Sequence, residues 1–113
     1  MTFFMDIQGF QMNDRFIVKE FALVSEDCTF VQHCILKPVC DFELLSLKDQ
    51  KTNTFLENTY HGLYWSNGDV PLKKIYTILE ELYNTFEIVY VKGFEKKKIC
   101  LNCLTGDVFI LKI

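Results

Sequence analysis

The sequence has little proline and glycine, two and five residues respectively out of 113, and it has no low-complexity stretch or internal repeat. These absences exclude collagen-like, solenoid and disordered chains. Bulk positive charge is also missing, because the formal net charge is −3, which argues against a protein that coats nucleic acid through its overall charge. No apolar run approaches the roughly 20 residues of a membrane span, and the N-terminus lacks the basic region of a signal peptide. We therefore expect a cytoplasmic protein with no membrane contact.

The residues that are present are largely apolar. Half of the chain is hydrophobic and 15% is aromatic, with eleven phenylalanines. A chain of this length buries roughly 65% of the surface of its unfolded state, which is enough for one hydrophobic core. The composition therefore predicts a single globular domain that spans residues 1–113.

The cysteines stand in or near apolar runs, at Cys28, Cys34, Cys40, Cys100 and Cys103. An odd number of cysteines in apolar segments predicts free, reduced and mostly buried thiols. The alternative is that Cys100 and Cys103 form half of a zinc site or a redox pair. Neither His33 nor His61 has the spacing that would complete a zinc site, so core packing is favoured.

Three strands are predicted in the first third of the chain, at residues 3–10, 15–24 and 28–37. Asn13 and Asp14 are typical of a two-residue hairpin turn, and a second turn follows at Ser25. The three strands should therefore form an antiparallel meander.

Helices and strands alternate in the rest of the chain. Residues 41–61 have a broken helical spacing that predicts two short helices or one irregular one. At residues 71–84 a helical spacing places apolar side chains on one side and charged side chains on the other. This pattern predicts an amphipathic helix, with Asp69 as its N-terminal cap and Pro71 in its first turn. A strand at 86–92, a helix at 95–104 and a strand at 107–112 follow. This order predicts an α/β fold whose mixed sheet has strands 1, 4 and 5 parallel and helices on its faces.

Three short motifs accompany this order of elements: Asp6-Ile7-Gln8-Gly9-Phe10 in strand 1, His61-Gly62-Leu63 before the amphipathic helix, and Phe94-Glu95 at the start of the last helix. With these motifs the chain resembles the ribonuclease H-like 3′–5′ exonucleases, enzymes that use a quartet of Asp and Glu residues. The resemblance implies a five-stranded mixed sheet in the order 3-2-1-4-5 with flanking helices, lacking the C-terminal helix of the family. In overall character the chain is also similar to uncharacterised proteins of insects, insect viruses and mobile elements.

The chain departs from the family at the acids. Asp6 matches the first acid of the acid-x-acid triplet, whereas Gln8 stands in place of the second. The resemblance therefore implies Asp6 and Glu95 as the remaining catalytic candidates, with Asp6 as a metal ligand. Phosphodiester cleavage on this scaffold needs two divalent ions held by clustered carboxylates, so two acids predict at most a weak site for Mg²⁺ or Mn²⁺. The alternative is that Asp6 is a solvated strand residue and Glu95 an acid favoured at a helix start.

Nucleic-acid contacts are predicted in a basic segment and in an aromatic loop, at Lys92, Phe94, Lys96, Lys97, Lys98 and Trp65. Lysines beside an exposed aromatic ring suit a phosphate and a stacked base of a single strand. The alternatives are a lysine-rich surface that serves solubility, and a Trp65 that folds onto the core.

The leading hypothesis is a non-catalytic, exonuclease-like module that binds a protein or single-stranded nucleic acid and has no cofactor. The competing hypothesis is a minimal metal-dependent nuclease that acts on single-stranded nucleic acid through Asp6 and Glu95. A fold that ends after strand 5 also leaves one apolar sheet face uncovered, which predicts a homodimer through that face. The alternative is that residues 41–61 fold across this face and complete the monomer.

Overall fold

The structure is a computed structural model that describes residues 1–82, 84, 88–91 and 110–112. Within them the chain is an α/β protein with a mixed sheet and two α-helices. Its main elements are β1 (Thr2–Met12), β2 (Arg15–Ser25), β3 (Val31–Ile35), α1 (Leu47–Phe55), α2 (Leu72–Leu82) and β4 (Ile88–Val91). Phe42–Leu44 form a 3-10 turn before α1, and α1 continues into a π-helical turn at Leu56–Tyr60. The predicted irregular helical region at residues 41–61 is therefore confirmed.

The order of these strands in the sheet is β3-β2-β1-β4. β1 pairs antiparallel with β2, and β2 pairs antiparallel with β3, which confirms the predicted meander. β4 pairs in parallel with β1, as predicted. Ile110–Lys112 pair in parallel with β4, inside the predicted strand at 107–112. The predicted helix at 95–104 lies outside the described residues, and the five-stranded ribonuclease H-like arrangement stays a proposal.

The hairpin between β1 and β2 has the two-residue turn that its sequence predicts. Asn13 and Asp14 have φ values of 54° and 61°, and this left-handed backbone at both central residues matches the twist of the flanking strands. Asn and Asp tolerate it better than other side chains. The turn therefore fixes Met12 opposite Arg15 and sets the register of the hairpin.

A β-bulge interrupts this hairpin beside a buried charged side chain. Gln8 pairs with Glu20 and Gly9 pairs with Val18, so Lys19 is the additional residue on β2. Only glycine fits at position 9, because a Cβ atom there would lie 2.0 Å from the carbonyl oxygen of Ile17. Lys19 is buried because it lies on the same face of β2 as the buried Phe21 and Leu23, two and four residues further along the strand.

β3 is shorter than the predicted strand at 28–37, because residues 26–30 form a turn. The carboxylate of Asp27 accepts hydrogen bonds from the Thr29 hydroxyl, the Ser25 hydroxyl and the Thr29 amide, and these bonds lower the pKa of Asp27. The interactions favour the turn over a longer strand.

The prediction of mostly buried thiols holds only in part. Cys28 lies in the turn after β2, has a φ of 60° and is exposed, so the prediction is wrong for this residue. Cys34 is buried and Cys40 is half-buried. Cys100 and Cys103 lie outside the described residues.

The main core lies between α2 and one face of the sheet. The amphipathic helix predicted at 71–84 is confirmed, and its buried residues pack with alternate residues of the strands, the cluster being Phe3, Met5, Ile7, Phe21, Leu23, Cys34, Leu36, Ile75, Ile78, Leu79 and Val89. A smaller cluster contains Phe10, Leu45 and Trp65. Among the helices of the described residues, none has the length and hydropathy needed to cross a membrane.

Candidate functional site

The most prominent surface of the described chain is the sheet face that carries the side chains alternating with the core residues. We call it the open face and define it by Phe4, Asp6, Ala22, Val24, Val31, His33 and Tyr90. Because successive side chains of a strand point to opposite faces, these residues point away from Phe3, Met5, Phe21, Leu23 and Val89 in the core. Phe4, Val31 and His33 are exposed, so no helix of the described residues covers the open face at these positions, and the helix predicted at 95–104 lies outside the described residues.

One row of the open face is apolar across all four strands. Val31 pairs with Val24, Val24 with Phe4, and Phe4 with Tyr90. Val31 is 67% exposed and Phe4 is 37% exposed. The ring of Phe4 stacks on the ring of Tyr90, with centroids 5.5 Å apart. This apolar row is therefore continuous across the sheet and is accessible at Phe4 and Val31.

The next row has a small residue in the middle and a polar residue on each side of it. Asp6 pairs with Ala22, and Ala22 pairs with His33. The Nε2 atom of His33 lies 2.9 Å from the Oε2 atom of Glu20 on β2. Together the apolar and polar rows line an open depression of about 300 Å³ on the β1, β2 and β3 side of the face.

Of the predicted catalytic pair, Asp6 lies on the open face and Glu95 lies outside the described residues. Gln8, which stands for the second acid of the triplet, is half-buried two residues further along β1. Among the described residues no group of three or more His, Cys, Asp and Glu side chains could hold a metal ion. The metal site at Asp6, with Mg²⁺ or Mn²⁺, and the catalytic role of Asp6 and Glu95 stay predictions.

The predicted nucleic-acid contacts are separated by the fold. Lys92, Phe94, Lys96, Lys97 and Lys98 lie outside the described residues. Trp65 is 3% exposed, and its indole Nε1–H donates a hydrogen bond of 2.8 Å to the carbonyl oxygen of Cys40. A buried indole has no face available to stack on a base, so the core alternative for Trp65 fits the structure.

Past the end of β4, side chains form hydrogen bonds with the backbone along the edge of β1. β4 pairs with Thr2–Met5 only, so the following residues of β1 have no strand on that side in the described part of the chain. The Asn53 side chain accepts from the Gln11 amide and donates to the Gln11 carbonyl, both at 2.8 Å. The Asp49 carboxylate accepts from the Asn13 amide at 3.0 Å. We call Asp49, Asn53 and His61 the edge clamp.

His61 takes part in the edge clamp through both ring nitrogens. Its Nε2 lies 2.8 Å from the carbonyl oxygen of Gly9, and its Nδ1 accepts from the Leu63 amide at 3.0 Å. These two bonds require the tautomer with hydrogen on Nε2. The His61-Gly62-Leu63 segment, read in the sequence as a family motif, therefore has a structural role at the edge of β1.

The edge clamp also determines which side of α1 faces solvent. α1 turns Asp49 and Asn53 towards β1 and buries them. The apolar side chains of α1 are exposed instead, at Leu47 and Phe55, and so are Leu44 and Tyr60 in the flanking turns. The predicted alternative in which residues 41–61 fold across the open face is not observed, because α1 binds the edge of β1 and the open face remains accessible.

Lys19 is buried on the core side of β2, next to the bulge. Its Nζ donates to the carbonyl oxygen of Trp65 at 2.6 Å and to the carbonyl oxygen of Asn67. Burial lowers the pKa of Lys19 below its ordinary value of 10.5, and the negative charge of Glu57 opposes this shift. The lysine thus joins β2 to the loop that carries Trp65 without a direct ion pair in the described structure.

The lowered pKa of Lys19 predicts a pH dependence of stability. Between the folded-state pKa and 10.5 the unfolded chain binds more protons at this group than the folded chain, so stability rises with pH in that interval. The Lys19→Met variant should lack this rise, whose slope is at most about 1.4 kcal/mol per pH unit for one proton. Urea unfolding of both proteins from neutral pH towards 10.5 measures the difference, and parallel curves would contradict the prediction.

Comparison with known proteins gives no neighbour from which to transfer a function. A scan against models of protein families, a search of curated proteins and a search of solved structures each found no match to this chain. The ribonuclease H-like resemblance therefore rests on the motifs and the order of elements.

The open face was not identified as a set of residues in the sequence, although a signal was present. Asp6, Gln8 and Glu20 occupy alternate positions of their strands, the pattern expected of a face in contact with water. The adjacent charges Lys19 and Glu20 interrupt that alternation and mark the bulge. Reading the strands as apolar on both sides concealed this pattern.

Proposed function

We propose that this chain is a non-catalytic protein-binding module that binds its partner through the open face. The observation that carries the proposal is the apolar row, in which Val31 and Phe4 are accessible beside the half-buried Val24 and Tyr90. An accessible aromatic stack on a rigid sheet loses little conformational entropy on binding. Contiguous accessible apolar side chains on such a scaffold are typical of protein–protein interfaces.

The charges of this face favour a protein over a nucleic acid. Binding to a phosphate backbone depends on Lys and Arg side chains. The acidic and basic side chains of the described open face and its margin are Asp6, Glu20 and His33, with no lysine or arginine among them. A carboxylate-bearing face repels phosphate, so we propose a protein partner rather than the single-stranded nucleic acid that the sequence left open.

The non-catalytic part of the proposal is supported by Gln8, which supplies a neutral oxygen where the exonucleases have an acid. The competing nuclease is tested by incubating labelled single-stranded DNA and RNA with the protein and Mg²⁺ or Mn²⁺. Cleavage that disappears in the Asp6→Asn variant would overturn the proposal. Cleavage that is equal in the two proteins would come from a contaminant and leaves the proposal standing.

The binding part of the proposal predicts a position-dependent crosslink. A photo-reactive phenylalanine analogue at Val31, in the apolar row, should crosslink to the partner in cells. The same analogue at Val39, an exposed valine in the loop after β3, should not. Ala22→Arg, which places a long charged side chain in the middle of the open face, should reduce the Val31 crosslink several-fold. Equal crosslinking at the two positions, or no crosslink at Val31, would contradict a binding role for this face.

A further inference from the structure

We infer that the partner of the open face contributes an extended segment, which pairs with the outer edge of β3 and continues the sheet by one strand. This inference rests on the proposed function, because it names how the partner of that face is held. In the described part of the chain β3 is the outermost strand on its side of the sheet. A segment paired with it has alternate side chains on the open face, so one partner contacts both surfaces.

The backbone of β3 directs alternate residues away from β2. The Leu36 amide donates to the Lys19 carbonyl at 2.7 Å, so the backbone of Leu36 faces β2. The Ile35 carbonyl accepts from the Val70 amide at 3.2 Å, so the backbone of Ile35 faces outward. Because the N–H and C=O groups of a residue in an antiparallel ladder point to the same side, every second residue before Ile35 also faces outward.

Val31 and His33 are the outward residues with a free backbone. Each presents one N–H donor and one C=O acceptor, and none of these four groups is hydrogen-bonded to another residue in the described ranges. Val31 is 67% exposed and the His33 side chain is 56% exposed. β3 has no lysine, proline or glycine that would obstruct pairing. A donor and an acceptor on every second residue are what an extended peptide backbone satisfies.

The chain itself already pairs with the far end of this edge. Val70 forms a single parallel bridge with Leu36, in which the Lys37 amide donates to the Val70 carbonyl at 2.9 Å. The edge therefore accepts a strand, and the loop at Val70 ends the free part at Ile35. The added segment is consequently short, about three to five residues, the lower end of ordinary strand lengths.

The side chains at the margin of the open face set the chemistry of this segment. The residue beside Val31 should be apolar, because cross-strand neighbours lie in contact and the apolar row ends at Val31. The residue beside His33 should not be acidic, because the Glu20 carboxylate lies 2.9 Å from the imidazole. The partner is therefore a protein with an exposed extended segment, in which an apolar and a non-acidic residue stand two positions apart.

A second copy of β3 fits this edge less well than a separate peptide. A two-fold antiparallel pair that uses both free residues places Val31 of one copy opposite His33 of the other. In that register residues 28–29 of one copy lie opposite residues 35–36 of the other, where Val70 is already bound. The turn after β2 and the loop at Val70 would then meet at the same place, and this would happen twice. A segment of a different protein can end before the loop.

Proline substitution tests the edge without breaking the ladder between β2 and β3. His33→Pro removes an amide that points outward and puts a ring in the path of the added strand, a substitution that edge strands tolerate. His33→Ala removes the same imidazole and keeps the amide. The probe is a phage-displayed library of random peptides of about nine residues, selected on the native chain. Selected peptides should bind His33→Ala within about threefold of the native chain, and His33→Pro at least about tenfold more weakly.

Hydrogen exchange shows whether a selected peptide binds through the backbone. With the peptide bound, the amides of Val31 and His33 should exchange at least about tenfold more slowly than in the free chain. The amides of Gln32 and Cys34 face β2 and should change much less.

The remaining outcomes separate this inference from the proposed function. Val31→Pro, with Val31→Ala as its control, repeats the comparison if circular dichroism shows that His33→Pro does not fold. Equal binding to a proline variant and its alanine control, unchanged exchange at Val31 and His33, or a library that yields no peptide overturns the inference. A Val31 photo-crosslink in cells would still establish the open face as a binding surface. If the native chain dimerises and His33→Pro does not, the edge binds a second copy and the inferred partner is wrong.

Discussion

Replacing Trp65 with alanine is expected to lower the free energy of unfolding by about 3–5 kcal/mol, the usual cost of deleting a large buried aromatic side chain. The indole packs edge-on against Phe10 and Phe42, with ring centroids 5.3 and 6.2 Å away. The variant also leaves the carbonyl oxygen of Cys40 without its donor. Since small domains are stable by about 5–15 kcal/mol, this loss is a large share of the total. Urea unfolding followed by far-ultraviolet circular dichroism measures it, because the variant removes the single tryptophan.

Two further variants assign the effect of the Trp65 substitution to packing. Trp65→Phe keeps an aromatic ring but loses the Nε1–H donor, and should cost about 1–3 kcal/mol. Tyr64→Ala removes the exposed neighbouring aromatic and should change stability by about 0.5 kcal/mol or less. If Trp65→Ala were as stable as the native chain, the ring would have to lie at the surface, where the sequence also allowed it to stack on a base.

The elements that sequence patterns predicted are those whose signals are local. Asn13 and Asp14 specify the hairpin turn through their own backbone preferences. The spacing of Ile75, Ile78 and Leu79 marks the buried side of α2 without reference to any other element. The sheet order follows from these local elements because short connections and parallel crossovers leave few arrangements.

α1 was not predictable in the same way, because its orientation depends on a distant strand. Leu47 and Phe55 fall where an amphipathic helix would have its buried side, yet Asp49 and Asn53 are buried. The reason lies at the edge of β1, where Asn53 bonds to the backbone of Gln11 and Asp49 bonds to the Asn13 amide of the adjoining turn. A sequence pattern shows which side chains are apolar, and it does not show where a strand edge lacks a neighbour.

Of the residues that define the open face, the sequence identified only one as a candidate site residue. Asp6 was singled out because it matches the first acid of the family's triplet in strand 1, and it lies on the open face. Phe4, Val31 and Tyr90 were not, because the apolar residues of a strand give no sign of which face another element covers. Ala22 lies between Asp6 and His33 because of the register of the three paired strands. The sequence of a single strand does not show that register.

The edge clamp predicts a second large effect, at Asn53. The side chain is fully buried and makes two hydrogen bonds to the backbone of Gln11. Asn53→Ala removes both partners from the part-buried amide and carbonyl of Gln11, and we expect it to lower the free energy of unfolding by about 1–3 kcal/mol. Asn58→Ala makes the same chemical change at an exposed residue of the π-helical turn and should have an effect of about 0.5 kcal/mol or less.

Hydrogen exchange distinguishes loss of the clamp from general loss of stability. In Asn53→Ala the Gln11 amide should exchange faster because its acceptor is gone, and the Asn13 amide should follow because α1 no longer holds Asp49 against it. Amides of β2 that pair with β3, such as those near Phe21, should change only as far as global stability requires. Asn53→Asp keeps an acceptor for the Gln11 amide but places a carboxylate against the Gln11 carbonyl, so it should be destabilising as well. Equal stability of the Asn53→Ala and Asn58→Ala proteins would mean that α1 is held to β1 by its other contacts, and that its exposed apolar side is not a consequence of the clamp.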